Sequence, residues 1–128
     1  MRKNTVSRIL LAINPEYVQN ILSGIKKYEF RKSVAKQPVS SIIIYETVPT
    51  KKIVAEVEVV AVLKASPEEL WSLTSDAAGT SKEFFDAYFT GREFAYAYKL
   101  GKVNRFDEPK ELSEYGVTAA PQGFVYIQ

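Results

Sequence analysis

Hydrophobic and polar residues alternate or run in short blocks along most of the chain, a pattern typical of β-strands. The strongest block is residues 53–63, IVAEVEVVAVL. In it Glu56 and Glu58 alternate with valines, which indicates an antiparallel sheet with one solvent-exposed face at that end. Similar patterns recur along the chain. The predicted strands span residues 7–13, 27–32, 40–47, 53–63, 94–99 and 123–127, and the fifth continues toward Phe106.

Helical spacing and capping residues predict a first helix over about residues 15–23. Asn14 is the expected N-cap, Pro15 occupies the first helical position, and Gly24 follows as a left-handed C-cap. Pro15 and Gly24 are therefore interpreted as structural residues.

Two further helices follow sequences typical of capping boxes, SPEE at 66–69 and TSKE at 80–83. The third helix ends at Gly91, and its aromatic residues, like Trp71 in the second helix, are expected mostly in the core. A helical turn is predicted over 109–115.

The order of these elements contains no repeated strand–helix–strand unit, so the sheet is expected to be mostly antiparallel. The prediction is a mixed α+β, mainly β fold of about six mostly antiparallel strands with two or three flanking helices. A compact, partly closed barrel with helices at its ends is expected, because in a chain of 128 residues it leaves few unpaired strand edges exposed to solvent. The chain is expected to form a single domain, 1–128, with 1–6 as a loose tail.

Composition limits the available chemistry, because the chain has no cysteine and no histidine. Disulfides, Cys/His zinc sites, a histidine base and a cysteine nucleophile are excluded. Catalysis would fall to Lys, Glu, Asp, Ser, Thr or Tyr, and no metal or cofactor is expected. No apolar run approaches the roughly 20 residues that span a membrane, and no signal peptide is recognisable, so a cytoplasmic protein is expected.

The net charge of +2 hides an asymmetry between the two parts of the chain. Residues 1–52 contain ten Lys/Arg and three Glu, which gives +7, whereas residues 53–128 contain seven Lys/Arg and twelve Asp/Glu, which gives −5. If the first part forms one side of the fold, that side is a basic face suited to a polyanion. If the two parts interleave, the field averages out.

Charges and aromatic residues are concentrated in residues 22–32, LSGIKKYEFRK. Lys26 lies in the predicted turn before a strictly alternating strand, in which Tyr28 and Phe30 point toward the core. Glu29 and Arg31 then share the other face, where they can pair with each other or converge on a ligand. The segment is either a solvated surface strand or a site for an anionic or polar ligand.

Within this segment, ILSGIKKYEFR at 21–31 resembles the G-x-K-x-x-E-x-R signature of the ASCH domain, the activating-signal-cointegrator homology domain. The resemblance covers about residues 8–127. Other segments that look like the family are AINPEY at 12–17, Ile44-Tyr45, AYAYKL at 95–100 and PQGFVYI at 121–127.

The resemblance implies a PUA-like pseudo-barrel that binds RNA in a cleft lined by the signature residues, with a role in translation or transcription. Some small members look like amidohydrolases acting on acetylated cytidine, or like nucleases. Two departures are visible. Asn14 stands where the family often has a lysine, and Glu29 stands where the amidohydrolase-like members have a threonine nucleophile. Because a carboxylate cannot replace that threonine in acyl transfer, this particular activity is not expected.

Three functional hypotheses follow. In the first, the chain is a binding module for RNA or a nucleotide-like ligand, with Lys26 and Arg31 on phosphate and Glu29 on a base or orienting Arg31. In the second, it is a nucleoside- or RNA-directed hydrolase with Lys26 as base and Glu29 as its partner, which requires a lowered lysine pKa. In the third, it binds another partner without nucleic acid. The candidate ligand-binding residues are Lys26, Glu29, Arg31, Tyr45, Lys51, Lys52, Gln122 and Phe124, the last two through the resemblance alone.

Overall fold

The structure is a computed structural model that describes residues 6–127. Almost all of the predicted loose tail, 1–6, therefore lies outside the described residues. The strands are β1 (Ser7–Ile13), β2 (Tyr28–Arg31), β3 (Val39–Glu46), β4 (Lys52–Ala65), β5 (Ala95–Lys110) and β6 (Phe124–Ile127). The helices are α1 (Pro15–Leu22), α2 (Pro67–Thr74) and α3 (Lys82–Tyr88), with short 3₁₀ turns at Ser75–Ala77 and Leu112–Tyr115.

The six strands form one sheet in the order β2-β5-β4-β3-β1-β6. The β1–β3 pair is parallel and the other four pairs are antiparallel. The parallel pair is possible because residues 14–38, with α1 and β2, form a long crossover between its strands. The predicted mixed, mainly β fold with mostly antiparallel strands and three helices is confirmed.

The sheet curls without closing into a barrel. Strands β2 and β6 are its two ends and are not paired with each other. The curl nevertheless brings β2 toward β1, because Nη2 of Arg31 donates a hydrogen bond to the Ala12 carbonyl at 3.3 Å. This near approach creates the concave region in which the signature residues lie.

Apolar side chains bury both faces of the sheet. Alternate residues of β1, such as Ile9 and Leu11, pack with Val18 of α1, while Leu10 packs on the opposite face. A third cluster joins β2 to the helices α2 and α3. Its buried members are Phe30, Leu70, Ala78, Phe85, Phe89, Ala95 and Ala97.

The basic and acidic parts of the chain interleave in the sheet, because β4 and β5 separate β2 from β3 and β1. Two ion pairs also join the parts, Arg8 with Glu56 and Lys52 with Glu111. The basic first part therefore does not form one continuous block of strands.

Several local predictions differ from the structure in detail. Strand β5 continues to Lys110 because it pairs with β4 over most of its length, so only Leu112–Tyr115 of the predicted turn at 109–115 is helical. The N-cap of α3 is Ser81, which accepts a hydrogen bond from the Phe84 N–H at 3.1 Å, rather than Thr80. Among residues 6–127, no helix is long and apolar enough to span a bilayer.

Candidate functional site

A pocket of about 190 Å³ lies between the end of β1, the first turn of α1, β2 and α3. It contains the three charged residues of the signature sequence. Its lining residues are Ala12, Ile13, Asn14, Tyr17, Lys26, Glu29, Phe30, Arg31, Thr80, Phe84, Phe85 and Tyr88. We call this the signature pocket.

Lys26 is buried in the wall of the signature pocket, with only 4% of its surface exposed. Its Nζ donates a hydrogen bond to the Ala78 carbonyl at 2.8 Å and lies 5.1 Å and 4.9 Å from the ring centres of Tyr17 and Phe30. Lys26 is therefore not a solvated surface side chain. The α2–α3 loop, residues 75–81, covers the Lys26 side chain through Ala78 and Gly79.

Gly79 allows this loop to approach Lys26 closely. Its φ of +68° is left-handed, and a Cβ atom at this position would lie 2.4 Å from the Lys26 Cβ. Two further hydrogen bonds fix the loop, from Asn20 Nδ2 to the Gly79 carbonyl at 3.3 Å and from the Lys27 N–H to the Ala77 carbonyl at 2.8 Å. The loop is thus built to pack against the lysine stem.

Burial lowers the pKa of Lys26 below its ordinary value of 10.5, since the charged ammonium loses hydration. The Glu29 carboxylate opposes this change, and the Arg31 guanidinium adds to it. A neutral amine can still donate to the Ala78 carbonyl and keeps a lone pair that can accept a proton. This is the direction of pKa change that the hydrolase hypothesis requires.

Glu29 and Arg31 form a partly buried ion pair on the same face of β2. Nε and Nη2 of Arg31 lie 3.0 Å and 2.9 Å from Glu29 Oε2, and Nη2 also contacts the Ala12 carbonyl. Within the described residues, these contacts leave Nη1 without a protein acceptor. The pair therefore fixes the guanidinium while one side of it remains available to a ligand.

Aromatic rings line the mouth of the signature pocket. Phe84 is 50% exposed, in contrast to the expected core position, whereas Phe85 and Phe89 are buried. The Phe84 ring lies nearly parallel to that of Tyr88, with centres 6.3 Å apart, and is tilted against Tyr17 at 5.8 Å. An exposed flat ring beside cationic groups can stack with a base or another planar ligand.

The other candidate residues lie outside the signature pocket. Tyr45 is buried with the apolar cluster on the opposite face of the sheet. Lys51 is exposed in the β3–β4 turn, and Lys52 pairs with Glu111. Gln122 and Phe124 line a neighbouring cavity that also contains Arg31.

Pro15 and Gly24 lie at the two ends of α1. Pro15 begins α1, and Gly24 has a left-handed φ of +87° just after the helix. Asn14 occupies the N-cap position, but its side chain makes no capping hydrogen bond.

Sequence reasoning did not select Thr80 or Tyr88 for the site. The Thr80 hydroxyl lies 3.1 Å from the Tyr17 hydroxyl, and Tyr88 forms part of the wall beside Arg31. A threonine in a capping sequence and an aromatic residue at helical spacing both have ordinary structural explanations. Among residues 6–127, no cluster of three or more acidic side chains could hold a metal ion.

The fold and the pocket define a small mixed-sheet domain with a buried lysine beside a fixed carboxylate–guanidinium pair. The chain matches the family described as the ASCH domain over residues 11–110, and it belongs to that family. The resemblance seen in the sequence is thereby confirmed.

Two curated proteins and one solved structure illustrate the relationship. The large ribosomal subunit protein uL22 of Ureaplasma parvum is 31% identical over 127 residues, which are 98% of this chain and 41% of that protein. The chain thus spans about two fifths of that relative's length. The ASCH domain-containing ribonuclease of Zymomonas mobilis is 32% identical over 92 residues, covering 71% of this chain and 62% of that protein.

The crystal structure of ASCH from Zymomonas mobilis has a TM-score of 0.87 with this chain at 26% identity. The match covers 95% of this chain and 88% of that one.

Proposed function

We propose that the chain binds single-stranded RNA and that the signature pocket receives one nucleotide. The observation that carries the proposal is the arrangement of Arg31, which lines the pocket, is fixed by Glu29, and has no protein acceptor for Nη1 within the described residues. A positioned guanidinium is well suited to a phosphate group. Family membership and the relatives named as a ribonuclease and a ribosomal protein support an RNA partner. We also propose a cytoplasmic role in translation or transcription.

The shape of the pocket favours a single nucleotide. Its volume of about 190 Å³ is below the roughly 300–1,000 Å³ typical of pockets for drug-sized ligands. A base that enters it has to leave its helical stack, which favours single-stranded RNA. Phe84 supplies an exposed ring on which the base can stack, an interaction worth about 1–3 kcal/mol.

Fluorescence anisotropy with a labelled single-stranded RNA decamer tests this binding. Arg31→Gln should weaken affinity about tenfold, because a hydrogen bond to a charged group contributes about 1.5 kcal/mol or more. It should also reduce the slope of log K against log salt by about 0.7. Arg105→Gln, which changes an exposed arginine on β5, is the matched control. Equal affinity and equal slope in all three proteins would contradict the proposal.

A second function, cleavage of the bound RNA, is favoured by one specific observation. Lys26 is buried in the pocket wall and its pKa is lowered, a change that a phosphate-binding lysine does not need. In the proposed reaction the neutral amine removes the proton of a ribose 2′-hydroxyl. The 2′-oxygen then attacks the adjacent phosphorus, and the bond to the 5′-oxygen breaks.

Other pocket groups complete this proposed reaction. Arg31 neutralises charge that develops on the phosphoryl oxygens. The departing 5′-oxygen takes a proton from the Tyr17–Thr80 hydroxyl pair. Glu29 is held by Arg31 and acts as its orienting partner rather than as the acid.

Single-turnover incubation with end-labelled RNA and with DNA of the same sequence tests cleavage. The RNA should be cut to products ending in a 2′,3′-cyclic phosphate, and the DNA should stay intact because it lacks the 2′-hydroxyl. Lys26→Met should lower the rate roughly 100-fold or more. Lys27→Met, which changes the adjacent exposed lysine, should keep it. Intact RNA with wild type, or equal rates for the two variants, would leave RNA binding as the function.

A further inference from the structure

A second cavity of about 170 Å³ adjoins the signature pocket. Arg31 and Tyr88 line both spaces, so the two are neighbours across this pair of side chains. The second cavity is completed on its open side by Lys32, Ser33, Gln122 and Phe124. We call it the adjoining cavity.

We propose that the adjoining cavity is a subsite for the next nucleotide of the same strand, an inference that rests on the proposed RNA binding. Arg31 stands between the two spaces, and a phosphate on its open side can join a nucleoside in one cavity to a nucleoside in the other. The two volumes, about 190 and 170 Å³, are similar. The ligand is therefore a strand of at least two nucleotides and not a free mononucleotide.

The chemistry of the adjoining cavity suits a base and its backbone. Phe124 is half-buried and offers a ring for stacking. The Lys32 Nζ lies 4.8 Å from the centre of the Tyr88 ring, which positions a cation at the rim. This cation can contact the phosphate that follows the second nucleotide along the strand.

Gln122 is the residue that can distinguish bases in this subsite. Its side chain is exposed at the rim, and within the described residues its amide has no protein partner. An amide offers two donors and an acceptor on one planar group, which can pair with a base edge. The Ser33 hydroxyl at the same rim adds a contact that can act as donor or acceptor.

Isothermal titration calorimetry with short ligands tests the subsite. The probes are the 2′-deoxynucleoside 3′-monophosphates, which present the phosphate as the first residue of a dinucleotide does, and the dinucleotides ApA, CpC, GpG and UpU, each with a 2′-deoxy first residue that prevents cleavage. Wild type should bind at least one dinucleotide roughly tenfold more tightly than its mononucleotide. Gln122→Ala should weaken the affinity for that dinucleotide about fivefold or more and leave the affinity for the mononucleotide unchanged. Gln19→Ala, on the exposed face of α1, should change neither.

The outcomes separate this inference from the proposed function. Equal affinity for mononucleotides and dinucleotides, or an equal effect of Gln122→Ala on both, would overturn the subsite and leave the signature pocket intact. If wild type binds neither these probes nor the RNA decamer, the proposed function fails together with the subsite.

Discussion

Replacing Gly79 by alanine would force the α2–α3 loop away from Lys26. The added Cβ would lie 2.4 Å from Cβ, 2.5 Å from Cγ and 3.0 Å from Cα of Lys26. The lysine cannot simply swing aside, because its own N–H is bonded to the Asn20 carbonyl at 2.9 Å and its Nζ to the Ala78 carbonyl at 2.8 Å. The substitution therefore displaces the lysine and the loop relative to each other.

Two costs add in this variant. An L-residue in the left-handed region costs about 1–2 kcal/mol, and overpacking of a close contact costs about 1–3 kcal/mol. The expected loss in the free energy of unfolding is thus roughly 2–5 kcal/mol. Gly24→Ala is the matched control, because its φ is +87° and an added Cβ meets no atom within 4 Å. The control carries only the backbone cost.

Urea unfolding followed by fluorescence measures this difference. The single tryptophan, Trp71, packs against Phe85 at 5.0 Å and reports on the cluster beneath the loop. Gly79→Ala should be about 1–3 kcal/mol less stable than Gly24→Ala, and it should bind RNA more weakly when folded. Equal stability and equal RNA affinity of the two variants would refute the close packing of loop and lysine.

Three further predictions concern charge, capping and the core. Wild-type stability should rise with pH between the lowered pKa of Lys26 and its unfolded value near 10.5, because the unfolded chain binds more protons there. Lys26→Met should lack this rise in urea unfolding at several pH values, and an identical rise in both proteins would contradict it. Ser66→Ala should lower the free energy of unfolding by about 1 kcal/mol, because the Ser66 hydroxyl caps α2 by accepting a hydrogen bond from the Glu69 N–H at 3.2 Å. Ser72→Ala, at an exposed position of the same helix, should lower it much less when both variants are measured by urea unfolding. Phe85→Ala should cost about 3–5 kcal/mol in the same assay, and a loss below 1 kcal/mol would contradict its core position.

Much of the fold could be predicted because its signals are local. Pro15 and Gly24 bound α1, and Ser66 marks the start of α2. The sheet order could not be predicted, because the parallel pairing of β1 with β3 depends on contacts across residues 14–38. The length of β5 is also set by its partner β4 rather than by its own alternation.

The candidate site could be predicted only where its residues are close in sequence. Lys26, Glu29 and Arg31 are found from one signature, but the burial of Lys26 depends on a carbonyl 52 residues away, at Ala78. Helical spacing in and after α3 places Phe84 with Tyr88 on one side and Phe85 with Phe89 on another. Only tertiary packing decides which of these two aromatic pairs is buried. The structure buries the pair with Phe85 and leaves Phe84 at the pocket mouth.

The most direct test of the central claim is a titration of ¹⁵N-labelled protein with single-stranded RNA, followed by amide chemical shifts. Binding in the signature pocket should move the signals of residues 24–31 and 78–88 most, including Gly79 at the loop. The C-terminal part of β5, residues 102–108, should change little. Shifts that cluster at 102–108, or no shifts at all, would contradict RNA binding in the signature pocket.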